Sequence, residues 1–125
     1  MDSFIIRKID INDLEGVAEI TTKAWKLNYK GIIDDDFLQT RTVENFIEKR
    51  TKTNWINDVN VDTYIYEEDK IIKGYISGNK YKEKYDCEIG MLYIDPDYQK
   101  QGIGTKLLEF MKARYKNIGY KSMII

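Results

Sequence analysis

Histidine is absent from the 125 residues, and there is one cysteine and one proline. Without histidine there is no Ser-His-Asp or Cys-His nucleophile system, and a single cysteine excludes the usual zinc and iron–sulfur ligand sets. Chemistry is left to carboxylates, tyrosines, amides and the backbone, and no metal is expected. One cysteine cannot close an internal disulfide. The opening Met1-Asp2-Ser3-Phe4 has neither the basic segment nor the long apolar run of a secretory signal, so a reducing, cytoplasmic setting is expected. No apolar stretch approaches the roughly 20 residues that cross a bilayer, so no membrane association is expected. Charge is in excess of neither sign: 20 Lys and Arg against 21 Asp and Glu leave a net charge of -1, unlike a protein that tracks nucleic-acid phosphates, so no nucleic-acid partner is expected. What is present is an ordinary globular balance. At this length a chain buries roughly two thirds of its unfolded surface in one core, so a single domain, 1–125, is expected.

Residues 3–9 form a short β-type run, followed by cap-type residues from Asp10 to Asp13. Leu14, Val17, Ala18, Ile20, Thr21, Ala24 and Trp25 then recur at steps of three and four, which predicts a helix over about 12–27. A sparser apolar pattern with Phe46, Ile47, Trp55 and Ile56 predicts a second helix from about Thr42 to Asn57. After Asp58 the pattern changes to strands. The runs Thr63–Tyr66 and Ile71–Ser77, separated by Glu67 to Lys70, read as a hairpin, and Cys87–Ile94 as a third strand stopped by Asp95-Pro96. Ile103, Leu107, Leu108, Phe110, Met111 and Tyr115 mark a helix closed by Gly119, and the tail Lys121 to Ile125 reads as a further buried strand. Strand, helix, helix, three strands, helix, strand predicts an α/β (α+β) protein with one mixed sheet and helices packed on it.

Chemistry concentrates between Glu88 and Thr105. A strand passes through Pro96 into Gln99-Lys100-Gln101-Gly102-Ile103-Gly104-Thr105 and directly into a helix. Unpaired first-turn amides, the positive end of the helix dipole and two glycines make such a turn a ready anion site. The same glycines are compatible with a plain strand-to-helix turn. No Gly-x-x-x-x-Gly-Lys-Ser/Thr string occurs, and a dinucleotide fingerprint would need glycine where Leu107 stands.

The spacing Gln99-x-x-Gly102-x-Gly104 resembles the pyrophosphate loop of the GNAT superfamily of acyl-CoA N-acyltransferases. The preceding Glu88-Ile89-Gly90-Met91-Leu92-Tyr93-Ile94-Asp95-Pro96 looks like that family's fourth strand, and Trp25-Lys-Leu-Asn-Tyr29-Lys-Gly31 like the junction of its first two helices. The resemblance spans essentially the whole chain. It implies a mixed, mostly antiparallel sheet flanked by helices in the order β-α-α-β-β-β-α-β, and acetyl-CoA as co-substrate. It further implies that the backbone of Leu92, Tyr93 and Ile94 pairs with the pantetheine arm. The amides from Gln99 through Lys100, Gln101, Gly102, Ile103 and Gly104 to Thr105 would hold the pyrophosphate. Glu88 matches the position of a general base, although a strand-end carboxylate that is merely solvated fits the residue as well. A cysteine nucleophile at Cys87 has no histidine to activate it.

Compared with the family, the sequence is expected to lack the last helix and two strands, and with them a tyrosine that protonates the departing thiolate, leaving the general acid unassigned. The expected activity is N-acetylation of a primary amine on a small molecule or a protein. A module that binds acetyl-CoA without turnover and a defective fragment are the alternatives. Trp25 and Tyr29 are candidates for the acceptor cleft, as helix-spaced aromatics are for the core, and Asp34-Asp35-Asp36 is either a cation-attracting run or a solvated one. An apolar strand edge at Lys121 to Ile125 predicts a homodimer through the C-terminal strand.

Overall fold

The structure is a computed structural model that describes residues 3–29, 31–32, 42–81, 86–120 and 122–124. Its elements run β1 (Phe4–Lys8), α1 (Leu14–Tyr29), α2 (Val43–Lys52), β2 (Val61–Glu68), β3 (Ile71–Tyr81), β4 (Asp86–Ile94), α3 (Ile103–Ile118) and β5 (Ser122–Ile124). Short 3-10 turns at Ile11–Asp13, Trp55–Asn57 and Pro96–Tyr98 complete the described chain. The order is the one expected. Five strands form one sheet in the spatial order β1-β2-β3-β4-β5, with the first four antiparallel and β5 parallel to β4.

Local chemistry sets the element ends. Asp10 caps the turn ahead of α1 by accepting from the Asn12 N–H at 2.9 Å, while Asp13 accepts from the Asp10 N–H at 2.8 Å, a reciprocal capping box. Arg7 on β1 grips both Asp13 oxygens at 2.7 and 2.8 Å. That pairing holds the Asp13 carboxyl below its ordinary range against the opposing effect of burial. The expected second helix is shorter, because Asn54 adopts a positive φ of 52° and leaves Trp55–Asn57 as a separate 3-10 turn. The β2–β3 hairpin is longer than expected. Its turn is only Asp69-Lys70, both at positive φ (54° and 65°), the two-residue geometry whose twist matches the flanking strands.

Each sheet face has its own core. Tyr64, Tyr66, Ile76, Cys87 and Ile89 pack against Ile103, Leu107, Met111 and Tyr115 of α3. On the opposite face Ile65 and Tyr75 pack with Leu14, Val17 and Ile20 of α1 and with Trp55. Alternation along the strands assigns each residue its side, interrupted by a register shift between β2 and β3 at Tyr66/Glu67 and by a second between β3 and β4. Ser77 pairs with Met91 and the next residue, Gly78, pairs with Ile89, so Gly90 is an extra residue in β4, a β-bulge. A Cβ built on Gly90 would meet Asn79 Nδ2 at 3.3 Å. Gly90 and Met91 therefore present to the same face in succession, and the inside–outside phase of β4 inverts across them.

Candidate active site

The bulge divides β4 into two halves with different neighbours. Asp86, Cys87 and Glu88 pair with Ser122, Met123 and Ile124 of β5. Beyond the bulge, Met91 to Ile94 stay paired with β3 on one side, and among the described residues no strand covers their other edge. Backbone polar groups along an open edge are ready to accept an extended ligand in strand-like fashion. Leu92, Tyr93 and Ile94, the residues expected to meet a pantetheine arm, lie on that segment.

The loop from Gln99 to Thr105 follows directly. Gly102 sits at the N-cap of α3 with φ 80°, a left-handed conformation that glycine takes without a Cβ clash. No side chain caps α3 and no acidic residue lies in its first turn. The first-turn amides thus have no side-chain cap at Gly102, an arrangement that together with the helix dipole suits an anion. Gln99, Lys100, Gln101, Gly102 and Thr105 are exposed, whereas Ile103 is buried in the α3 core. Of the glycine pair, Gly104 has no positive φ, and a Cβ there would approach only Ile94 Cγ1, at 4.0 Å. The last residue of the open edge and the first amides of α3 are therefore neighbours. Lys23 of α1 braces the intervening turn through Asp95 at 3.0 Å and Asp97 at 2.7 Å.

The other wall of the site is the α1–α2 face. Because of the bulge, Glu88, Met91 and Tyr93 share that face, opposite Asn79, Ser77 and Tyr75 of β3. Trp25 reaches it from α1, donating from Nε1 to the Tyr93 hydroxyl at 3.2 Å. Tyr29 is an outer layer on Trp25, with ring centroids 4.6 Å apart, and is exposed. Between α1, α2 and Met91 lies a cavity of about 230 Å³ whose lining includes Thr21, Trp25, Asn45, Lys49 and Arg50. Trp25 is thus brought to the same wall as the open edge, and Glu88 stands half-buried on that face across the bulge.

Arg50 was not legible as a site residue. A lone arginine in the sparse pattern of α2 gives no signal, because its surroundings come from α1, β4 and Trp55. Met91 reads in the sequence only as part of a strand, yet it lines the cavity. The glycine inside a strand-like run at position 90 was a signal for the bulge. Asp34-Asp35-Asp36 lie outside the described residues.

Three comparisons bear on this arrangement. A model of the Acetyltransferase (GNAT) family matches residues 27–125. A spermidine N(1)-acetyltransferase of Thermoplasma acidophilum is 32% identical over 123 residues, which cover 91% of this chain and 72% of that protein. The Bacillus subtilis N-acetyltransferase YuaI is 23% identical over 124 residues, covering 96% of this chain and 69% of its own. Among solved structures, a PaiA N-acetyltransferase from Thermoplasma acidophilum in complex with coenzyme A superposes with a TM-score of 0.74 at 25% identity, over 94% of this chain and 75% of that one.

Proposed function

The chain belongs to the acetyltransferase (GNAT) family, and on that premise we propose that it transfers the acetyl group of acetyl-CoA to a primary amine of a small molecule or a protein. The observation that carries the reading is the juxtaposition of an open β4 edge with an uncapped α3 N-terminus free of acidic residues. An extended amide-bearing arm ending in a pyrophosphate fits both. The solved relative that holds coenzyme A supports the same ligand.

In this reading the amides from Gln99 to Thr105 hold the pyrophosphate, and Leu92, Tyr93 and Ile94 align the arm along their open edge. Bound acetyl-CoA supplies an activated acyl carbon. Glu88 takes the proton that the attacking amine must lose, directly or through water, since an alkylammonium of pKa about 10.4 leaves roughly one neutral molecule in two thousand at pH 7. A new C–N bond replaces the C–S bond, and CoA departs as a thiolate, tolerable for a thiol of pKa about 8.5. Trp25, braced by Tyr29, walls the acceptor side. Pairing of two copies along β5 belongs to the same proposal and is read by light scattering.

Calorimetry with acetyl-CoA followed by thiol release with a panel of amines tests the reading. Binding with amine-dependent release supports it. Binding without release selects a module that holds acetyl-CoA, and no binding overturns both.

A further inference from the structure

The described arginines are not treated alike by the fold. Arg7 holds Asp13 and Glu67, and Arg114 holds Asp62 at 3.0 Å. Arg50 meets no carboxylate among the described residues. Its guanidinium lies against the rings of Phe46 and Trp55, at 5.1 and 4.9 Å from their centroids. Its hydrogen-bond acceptor there is the Met91 sulfur at 3.9 Å, and its Nε is buried with no hydrogen-bond partner among the described residues. Burial pushes its pKa down from the ordinary arginine value. A thioether is a weak acceptor, so a half-buried cation is held in place by aromatic faces while its hydrogen-bonding capacity stays largely unused.

Arg50 itself lines the cavity beside β4. Lys49 adds a second positive charge to the lining, the remaining polar lining consists of Thr21, Thr22, Thr42 and Asn45, and no Asp or Glu is among the described lining residues. Guanidinium geometry matches a carboxylate with two parallel hydrogen bonds. At about 230 Å³ the cavity suits a small molecule. Met91, which touches Arg50, is followed immediately by the open segment Leu92–Ile94, and it shares a face with Glu88.

We propose that the acceptor is a small amine bearing a carboxylate, seated with the carboxylate on Arg50 and its amino group directed toward the open edge of β4. This rests on the acetyltransferase reading above and names its substrate class. Among the described lining residues a polycation such as spermidine would meet the like charges of Lys49 and Arg50.

The full chain is first titrated with acetyl-CoA by calorimetry, then assayed for thiol release with amino acids, their carboxamides and spermidine. Amino acids should exceed their carboxamides in kcat/KM, and Arg50→Gln should lower kcat/KM for them by about 30-fold or more, as for truncation of one partner of a buried charge pair. The carboxylate-to-carboxamide ratio should collapse toward one, Arg50→Lys should recover part of it, and acetyl-CoA affinity measured on the same variants should hold. Where no turnover is seen, binding of the amino acids in the presence of CoA, lost in Arg50→Gln, supports the proposal, and its absence overturns it. A preference for spermidine or for the carboxamides overturns it while leaving the acetyltransferase reading intact. Failure of acetyl-CoA to bind removes both.

Discussion

One added methyl at Gly104 separates the needs of the fold from the needs of a ligand. Gly104 lies in the first turn of α3 with no positive φ, so its lack of a side chain serves no backbone requirement. Replacing a helical glycine with alanine stabilises by about 0.5–1 kcal/mol. For a chain of this size that raises Tm by about 2–4 °C. The new Cβ would lie 4.0 Å from Ile94 Cγ1, an ordinary contact, with nothing else within that distance. It would, however, project into the space between the end of β4 and the first amides of α3, where the diphosphate is proposed to sit. Losing one hydrogen bond to a charged group costs about 1.5–3 kcal/mol, and about 1.4 kcal/mol is tenfold in affinity. Gly104→Ala should therefore be more thermostable than the parent without ligand and bind CoA at least tenfold more weakly. Calorimetry for Kd and a thermal melt without ligand, on one preparation, read both quantities. Saturation at a hundred times Kd contributes about 2.7 kcal/mol, so at a fixed CoA concentration the ligand-induced rise in Tm must shrink in the variant. An unchanged CoA Kd in both Gly104→Ala and Gly104→Val would refute the assignment of the diphosphate to α3.

Three other outcomes are expected. Glu88→Gln should depress turnover most at neutral pH and recover as rising pH deprotonates the amine unaided; an equal loss across a pH–rate profile would indicate positioning rather than proton transfer. Asp62 is buried against Arg114 at 3.0 Å, Lys8 at 3.3 Å and Lys80 at 3.5 Å. Burial raises its pKa, but the Arg114 hydrogen bond and the three cations outweigh that and hold it below the ordinary carboxylate value. Its stabilisation is thus complete above the unfolded pKa of about 3.9 and lost as pH falls through the folded value. Asp62→Asn should cost about 2 kcal/mol at pH 7 and flatten the acid limb of a denaturation series; a parallel limb would refute the role. Lys70 holds φ 65° in the β2–β3 turn, and Lys70→Gly should relieve about 1 kcal/mol of left-handed strain, seen as a higher urea midpoint with CoA binding unchanged.

The order of elements was legible because the apolar period changes from three-and-four to two after Asp58, and because Pro96, Gly102 and Gly119 punctuate the second half at positions where backbone chemistry demands them. Element bounds were less so. Asp69-Lys70 is a turn without the usual Asn-Gly or Asp-Gly signature, so the hairpin strands read short. Asn54 breaks the second helix by a conformation that any reading of periodicity misses. The loop of the candidate site was visible because it is local in sequence. Of the proposed acceptor wall Trp25 was legible but Arg50 was not, since Arg50 acquires meaning only from the rings of Phe46 and Trp55 and the sulfur of Met91, which tertiary packing brings together.

The strands stand in the sheet in the order in which they are synthesised. β2, β3 and β4 are joined by connections of two and four residues, so their pairing closes short loops and should precede contacts that span more chain. β5 arrives only after α3 has been made, and until then β4 is the growing margin of a partly built sheet, bare along its length. Its docking covers the stretch before Gly90 and leaves the stretch after it. The margin on which a nascent chain is most prone to pair with a stranger is thus the one proposed to receive the coenzyme in the finished protein, and coenzyme present during refolding should raise the yield of monodisperse protein by occupying it.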